Sequence, residues 1–329
     1  MRYFVTGAAG FIGGHLVESL LADGHQVSGL DDLSTGRLAN LAAVSDHPSL
    51  RFTEGNILDA RLVHELTAGA DVVVHLAAAV GAFVILGSTL ASMRTNIHGT
   101  ENVVAAALAH DAVLVAASTS EIYGKNTKIG LREDDDRILG SPLKSRWSYA
   151  EAKAIDESLI EATAREEGLR AVIVRLFNTV GPRQTGRYGM VIPRFTRQAL
   201  RGEPLTVFGT GQQIRCFCHV HDVVPALTAL ARTPAAYGQA VNLGSTEQVS
   251  IETLAQRIIA TTGSSSAIAR SSYLEAYGPG YEDMQRRVPD CGFARSLTGF
   301  RPARTLDDII RDVTQDQAAA RPAATVSAS

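Results

Sequence analysis

Arg2-Tyr3-Phe4-Val5-Thr6-Gly7-Ala8-Ala9-Gly10-Phe11-Ile12-Gly13 is the stretch on which the fold turns. Five strand-like residues, Arg2–Thr6, run directly into Gly7-x-x-Gly10-x-x-Gly13, and helical spacing continues from Gly14 to Asp23. Glycine permits a tight turn and close approach of the backbone to a pyrophosphate, whose charge is favoured at the N-terminus of the following helix. A glycine triplet alone also occurs in structural turns. Here a strand precedes it and a helix follows, and that setting points to dinucleotide binding.

The same alternation continues outward. Gln26–Leu30, Leu50–Glu54, Val72–Leu76, Val113–Ala117 and Val172–Arg175 read as strands, and Thr89–His110 and Ser148–Glu167 as long helices. Near-continuous Val, Ile and Leu in strands separated by helices indicates an α/β fold, a Rossmann-type doubly wound parallel sheet covered on both faces. After Phe177 the pattern loosens, and Gly, Pro and Arg become frequent between Gly181 and Gly211, as in loops shaped around a ligand. Helices are expected near Val220–Arg232 and Ile251–Thr262. The expected organisation is a dinucleotide-binding domain over 1–177 and a smaller mixed α/β substrate domain over 178–314, with some exchange of chain between them. A disordered tail is expected over 315–329, where Ala, Pro, Thr and Ser take over.

Bulk properties narrow the function. The 329 residues are 45% hydrophobic and 20% charged with a net charge of −3, and no run of one sign suggests nucleic acid or a membrane surface as a partner. Val72 to Gly87 is the most apolar stretch, too short to span a bilayer, and reads as a buried strand followed by a loop. The chain starts in a strand, so no signal peptide is expected. Cys216, Cys218 and Cys291 are an odd, sparse set that fits a reducing cytoplasm. Cys216-x-Cys218 with His219 and His221 fits a strand leading into a loop better than a metal site, and no metal is expected.

Asp31 ends the second strand, where a carboxylate accepts hydrogen bonds from an adenosine ribose and repels a 2′-phosphate, which favours NAD over NADP. Arg37 is the residue that argues the other way. Asn56 and Ile57 are placed to flank the adenine, and Asp59 reads as a helix cap. Tyr149 and Lys153 lie four apart and face one way on a helix. A free tyrosine, with a pKa of about 10, is a poor base at neutral pH. A neighbouring ammonium and a positive nicotinamide ring favour the phenolate, which would take the proton from a substrate hydroxyl as the carbon gives up hydride. Thr119, two residues beyond its strand, would hydrogen-bond the same hydroxyl.

Gly7-Ala8-Ala9-Gly10-Phe11-Ile12-Gly13, His75-Leu76-Ala77-Ala78, Asn96 before a helix, and Tyr149-x-x-x-Lys153 resemble the extended short-chain dehydrogenase/reductase superfamily, the branch of nucleotide-sugar epimerases, dehydratases and decarboxylases. The resemblance covers roughly residues 1 to 313. It implies an NAD that stays bound through turnover, touched by Gly7, Gly10, Phe11, Ile12, Leu76, Ala77, Ala78, Asn96, Ser118, Tyr149 and Lys153, and a homodimer built from the two long helices. Tyr277-Gly278-Pro279-Gly280-Tyr281-Glu282-Asp283-Met284-Gln285-Arg286-Arg287-Val288-Pro289, together with Arg146-Trp147-x-Tyr149 and Arg215-Cys216-Phe217, is similar to UDP-glucuronate decarboxylases. That implies that Ser120, Glu121 and Arg287 act around a 4-keto sugar acid. Asn178, Val191, Arg194 and Arg215 match positions that hold the nucleotide, with Arg183 and Arg187 adding charge nearby. A carboxylate at Glu121 suits proton transfer next to the ketone or the handling of a substrate carboxylate; capping of the following turn is its structural alternative. Val80 opens an apolar stretch to Gly87 where relatives place polar groups.

The expected function is therefore redox-neutral modification of a nucleotide sugar through a transient ketone, by UDP-glucuronate decarboxylation or 4-epimerisation. The alternative is an NAD-dependent dehydratase, acting on a nucleotide sugar or a nucleoside, with Glu121 as its base. A non-catalytic NAD-binding scaffold is disfavoured by intact Thr119, Tyr149 and Lys153.

Overall fold

The structure is a computed structural model that describes residues 1–186, 189–278 and 282–320. Arg187, the Pro279-Gly280-Tyr281 part of the decarboxylase-like stretch and residues 321–329 of the expected tail lie outside the described residues.

The first half alternates as the apolar runs require. In order come β1 (Arg2–Thr6), α1 (Phe11–Ala22), β2 (Gln26–Asp31), β3 (Leu50–Glu54), α2 (Ala60–Thr67), β4 (Val72–His75), α3 (Ala82–Gly87), α4 (Thr89–Ala109), β5 (Val113–Thr119), α5 (Ser148–Glu167) and β6 (Ala171–Leu176). The expected loop after β4 is thus partly helical. Past Gly81 its apolar run meets no Gly or Pro before Gly87 and closes one short helix instead. Thr119 belongs to β5 and does not lie beyond it, because Ser118 and Thr119 pair with Arg175 and Leu176 of the neighbouring strand.

The second half contributes β7 (Thr179–Val180), α6 (Val191–Leu200), β8 (Leu205–Phe208), β9 (Ile214–Cys216), β10 (Cys218–His219), α7 (Val220–Ala231), β11 (Gln239–Leu243), β12 (Gln248–Ser250), α8 (Ile251–Thr262), β13 (Ile268–Ser271), α9 (Tyr273–Tyr277), β14 (Arg286–Arg287), α10 (Gly292–Thr298) and α11 (Leu306–Ala319). The loop-like stretch from Gly181 to Gly211 therefore contains a helix and a strand. The C-terminal helix runs through 315–319, residues expected in the tail; Leu306, Ile309, Ile310 and Val313 on its apolar face are buried and carry it onward.

Seven strands form one parallel sheet in the order β11-β6-β5-β4-β1-β2-β3. The order reverses between β1 and β4, and the crevice outside the strand ends at such a point is where an open α/β sheet binds its ligand. One face packs α1 and α7 on Val5, Val74, Val115 and Val241; the other packs α4 and α5 on Phe4, Val73 and Leu114. Strand β11, from the second half, completes the sheet beside β6. Around Phe195, Leu205, Leu254, Ile258 and Ile309 a separate apolar cluster supports α6, α8 and α11. No described helix is long and apolar enough to cross a membrane.

Candidate active site

A cavity of about 730 Å³ runs along the carboxyl ends of the strands, from Asp31 and Asp32 past Tyr149 to Arg194 and Arg215. At one end stands the glycine turn. Gly7 has φ +73°, and a Cβ there would meet the Ala77 backbone nitrogen at 2.8 Å. A Cβ on Gly13 would overlap the Gly7 carbonyl oxygen, so the turn closes only without side chains. Helix α1 starts from Gly10, which offers no capping side chain, and its first turn holds no acidic residue. Its amide groups are therefore left for an external anion, and Gly10, Phe11 and Ile12 line the cavity.

Asp31 lies at the end of β2 with Oδ2 accepting from Ala9 N (3.0 Å) and Oδ1 from Leu33 N (2.9 Å). Burial pushes its carboxyl up, against those hydrogen bonds. Arg37 turns away from it and donates to the Arg183 carbonyl at 3.0 Å. The uncapped helix, the side-chain-free turn and the carboxylate fit a dinucleotide. Leu76, Ala77, Ala78, Val80, Ile57 and Ser118 line the same cavity. Two expected contacts do not line it. Asn56 donates to Asp32 Oδ2 (2.8 Å). Asn96 is buried on α4, and its amide brackets the backbone N–H and carbonyl of Ala79 (2.8 and 3.2 Å). It shapes the cavity wall by holding that segment.

The catalytic candidates converge from β5, the turn after it and α5. The Thr119 hydroxyl faces that of Tyr149 and opposes the rise of its phenol. Thr119 also accepts from Glu121 N (3.2 Å), which fixes the turn that carries buried Ser120. Tyr149 departs from expectation. Burial, then Glu121, then Asp156 push its phenol well above the usual value, and the Thr119 hydrogen bond and Arg287 only partly oppose them. The protein by itself holds Tyr149 protonated. Lys153, which should have favoured the phenolate, has its Nζ 3.0 Å from Asp156 Oδ2, so its charge is spent on that pair.

Glu121 lies between two arginines. Arg146 Nη1 donates to Oε2 at 2.6 Å and Arg287 Nη1 to Oε1 at 3.4 Å. Burial would raise this carboxyl, but the two guanidiniums overcome it and bring it down to about 2. Arg287 comes from β14, which pairs with β9 in register with Arg215. It also donates to Asn178 Oδ1 (2.6 Å), and its Nε is buried with no partner among the described residues. Asn178 itself sits at φ +31°, with its amide donating to the Cys216 carbonyl (2.7 Å). Strain at a non-glycine residue is a feature of functional sites.

On the far side, Arg215 forms a two-pronged pair with Asp283 (2.9 and 3.0 Å). Arg194 stacks over Phe208 at 4.4 Å and donates to the Thr206 carbonyl, and burial lowers its guanidinium to about 10. Val191, at the start of α6, lines this end. Sequence reasoning assigned no role to Arg146, Asp156 or Asp283. Arg146 left a trace there, three residues before Tyr149 in the Arg146-Trp147 motif, and Asp283 stood in the decarboxylase-like stretch; Asp156 was within reach of the helix spacing, three residues after Lys153, and the fold shows that the pair is buried.

Comparison with known proteins agrees with this geometry. The NAD-dependent epimerase/dehydratase family model matches residues 3–244. UDP-N-acetyl-α-D-glucosaminuronate decarboxylase of Bacillus cytotoxicus is 39% identical over 315 residues, covering 95% of this chain and 97% of that protein. UDP-glucuronic acid decarboxylase 1 of Xenopus tropicalis is 33% identical over 93% of this chain and 70% of its own length. The dTDP-glucose 4,6-dehydratase of Streptomyces venezuelae, solved with NAD bound, superposes with a TM-score of 0.88 at 28% identity, covering 98% of both chains. The glycine turn, the Tyr149–Lys153 pair and these likenesses place the chain in the NAD-dependent epimerase/dehydratase family, as an NAD-dependent enzyme.

Proposed function

We propose that the protein decarboxylates a UDP-linked hexuronic acid through a transient 4-keto sugar. The observation that carries this reading is the Arg146–Glu121–Arg287 cluster beside Thr119 and Tyr149. In a hexuronate the carboxylate is attached to C5, the carbon next to the one bearing the 4-hydroxyl. A 4-hydroxyl held by Thr119 and Tyr149 therefore directs its carboxylate at the residues next to them, where two guanidiniums stand. Arginine suits a carboxylate because its planar fork donates two hydrogen bonds.

Bound NAD supplies the reversible hydride exchange that creates the C4 ketone and removes it. Tyr149 and Thr119 hold and move the hydroxyl proton. With a ketone at C4, the C5–C6 bond can break heterolytically: CO2 leaves, the electron pair passes into the ketone as an enolate, and one proton is taken up at C5. The protein must orient the carboxylate and accommodate the enolate oxygen near Thr119 and Tyr149. Glu121 supports this chemistry more than dehydration. A carboxylate brought down to about 2 by two ion pairs is a weak base, whereas dehydration asks it to remove a proton from carbon. Arg194 and Arg215 are the groups suited to the diphosphate. The relative in Bacillus cytotoxicus acts on an N-acetylated uronate, and the apolar lining of Val80, Val84, Ile85 and Leu86 suits an acetamido methyl.

Incubation with UDP-glucuronate, UDP-N-acetylglucosaminuronate, UDP-glucose and dTDP-glucose, followed by mass analysis, tests the reading. Loss of CO2 from a uronate, faster from the N-acetylated one, is the expected result. Loss of water, or a new isomer of unchanged mass, would replace it by dehydration or epimerisation.

The assembly is read as a homodimer through α4 and α5, which pack side by side. Of the apolar residues on these helices, Val103, Val104, Ala107 and Ile160 face the sheet, while Ile155 is 48% exposed and available to a second copy. A monomeric mass by light scattering at micromolar concentration would rule this out. Three unpaired cysteines fit a cytoplasmic setting.

A further inference from the structure

We infer that Asp156 is a positioning residue for the Tyr149–Lys153 pair: it is the buried counter-charge that fixes the Lys153 ammonium on the face of α5 that carries Tyr149. The inference rests on the reading of Tyr149 and Lys153 as the reacting pair. Residues 149, 153 and 156 are spaced i, i+4 and i+7 and share one helix face. Lys153 Nζ and Asp156 Oδ2 are 3.0 Å apart, and both side chains are 4% exposed. Burial raises the Asp156 carboxyl, and the Lys153 charge, then the contacts of Lys153 and of the Thr100 hydroxyl, oppose that rise.

The neighbours leave Lys153 no other anion. Glu157, next along α5, is taken by Arg175 of β6 (2.7 Å) and by the Ser118 hydroxyl of β5. His75 of β4 is pushed down to about 3, by burial first and then by Lys153, so it faces the pair as a neutral ring. Its Nδ1 and Nε2 are occupied by the hydroxyls of Thr6 (2.7 Å) and Thr100 of α4 (3.1 Å). Asp156 is the only carboxylate at ion-pair distance from Lys153 among the described residues. A buried ammonium stripped of its partner is strongly disfavoured. The same carboxylate bears on Tyr149, where with Glu121 it opposes ionisation of the phenol, against Arg287 and the Thr119 hydrogen bond. The Tyr-x-x-x-Lys spacing contains neither role.

The test compares NAD-loaded wild type, Asp156→Asn, Asp156→Glu, Lys153→Met and the Lys153→Met/Asp156→Asn double variant. Two quantities are read: kcat/KM against pH with the decarboxylated UDP-uronate, and the NAD retained through purification. Removing the anion should move the acid limb of the profile to lower pH by about half a unit or more. Freeing Lys153 should lower kcat/KM near neutrality about tenfold and reduce retained NAD. Asp156→Glu should restore the limb. In the Lys153→Met background the same substitution should change kcat/KM on the plateau above the acid limb by less than about twofold, because the ammonium it positions is gone, while the shift of the limb, which acts on Tyr149, should persist. An Asp156→Asn enzyme with the wild-type limb and NAD content, whatever its melting temperature, overturns the inference, as does an equal effect on plateau kcat/KM in both backgrounds. If Asp156→Asn does not fold, Asp156→Glu and the double variant, which removes both charges together, decide the question. Tyr149→Phe is the separate check on the underlying reading: an active Tyr149→Phe enzyme removes the pair and this inference with it.

Discussion

Arg146 Nη1 donates to Glu121 Oε2 across 2.6 Å, from the residue three before Tyr149 to the residue two after Thr119. This contact ties the two segments that carry the catalytic hydroxyls. It also decides how the carboxylate can be used, because an acid paired with Arg146 and Arg287 is an oriented anion and not a free base.

Glu121→Gln should separate the two halves of the reaction. Thr119, Tyr149 and Lys153 remain, so oxidation at C4 should survive, with NADH absorbance accumulating on addition of substrate and little product forming. A Glu121→Gln enzyme that turns over at the wild-type rate would make Glu121 a structural tie between β5 and α5.

The same pair has a stability signature. The folded-state pKa of Glu121 is lowered from 4.5 to about 2, so its contribution is complete above about pH 4.5 and is lost as pH falls through about 2. That contribution is on the order of 2 kcal/mol. Chemical denaturation between pH 2 and 5 should show a shallower loss of stability for Glu121→Gln than for wild type, on the order of 2 kcal/mol smaller across this range. Parallel curves would mean that the arginines find other partners.

Arg287→Met and Arg146→Met should each lower kcat/KM for the uronate by about 100-fold. The loss for UDP-glucose, measured as NADH formed in a single turnover, should be smaller. Equal losses for charged and neutral sugars would show that the arginines organise Glu121 and do not read a carboxylate.

Tyr149→Phe should give no NADH signal with any substrate, since the hydroxyl proton has no acceptor, and a loss of about 1,000-fold or more is expected. The burial of Tyr149 beside Glu121 and Asp156 implies that activity rises with pH until the phenol can ionise in the loaded enzyme. The limb should be absent in Tyr149→Phe.

Purified protein should carry NAD without added cofactor, because a redox-neutral cycle has no need to release it. Gly13→Ala should abolish this. Its methyl would overlap the Gly7 carbonyl oxygen, and relief requires opening the turn that holds the α1 N-terminus. Denaturing the protein and assaying the supernatant for NAD distinguishes the two, and a Gly13→Ala preparation that retains cofactor would contradict the assigned role of the turn.

The sequence by itself determined the sheet and its ligand edge. Strand and helix periods are local, so β1, β3, α5 and α8 appear with the boundaries that their apolar spacing predicts, and Gly7, Gly10 and Gly13 announce the anion site because only glycine permits that turn. It also set Thr119 and Glu121 just after the fifth strand, where the structure extends β5 to Thr119, and Tyr149 and Lys153 on the next long helix. What it could not determine are the charges each of these groups meets. Arg287 reaches Glu121 from 166 residues away. Asp283 reaches Arg215 from 68. Strand β11 joins a sheet whose other members all precede it by more than 60 residues. The pKa of a buried group is the sum of its burial and of every charge brought near it, and those charges come from distant parts of the chain. So the Tyr149–Lys153 motif named the proton-transfer pair. Only the tertiary structure showed that the neighbouring Lys153 and Asp156 are buried together, that Tyr149 is held as a phenol, and that Glu121 is an arginine-bound anion.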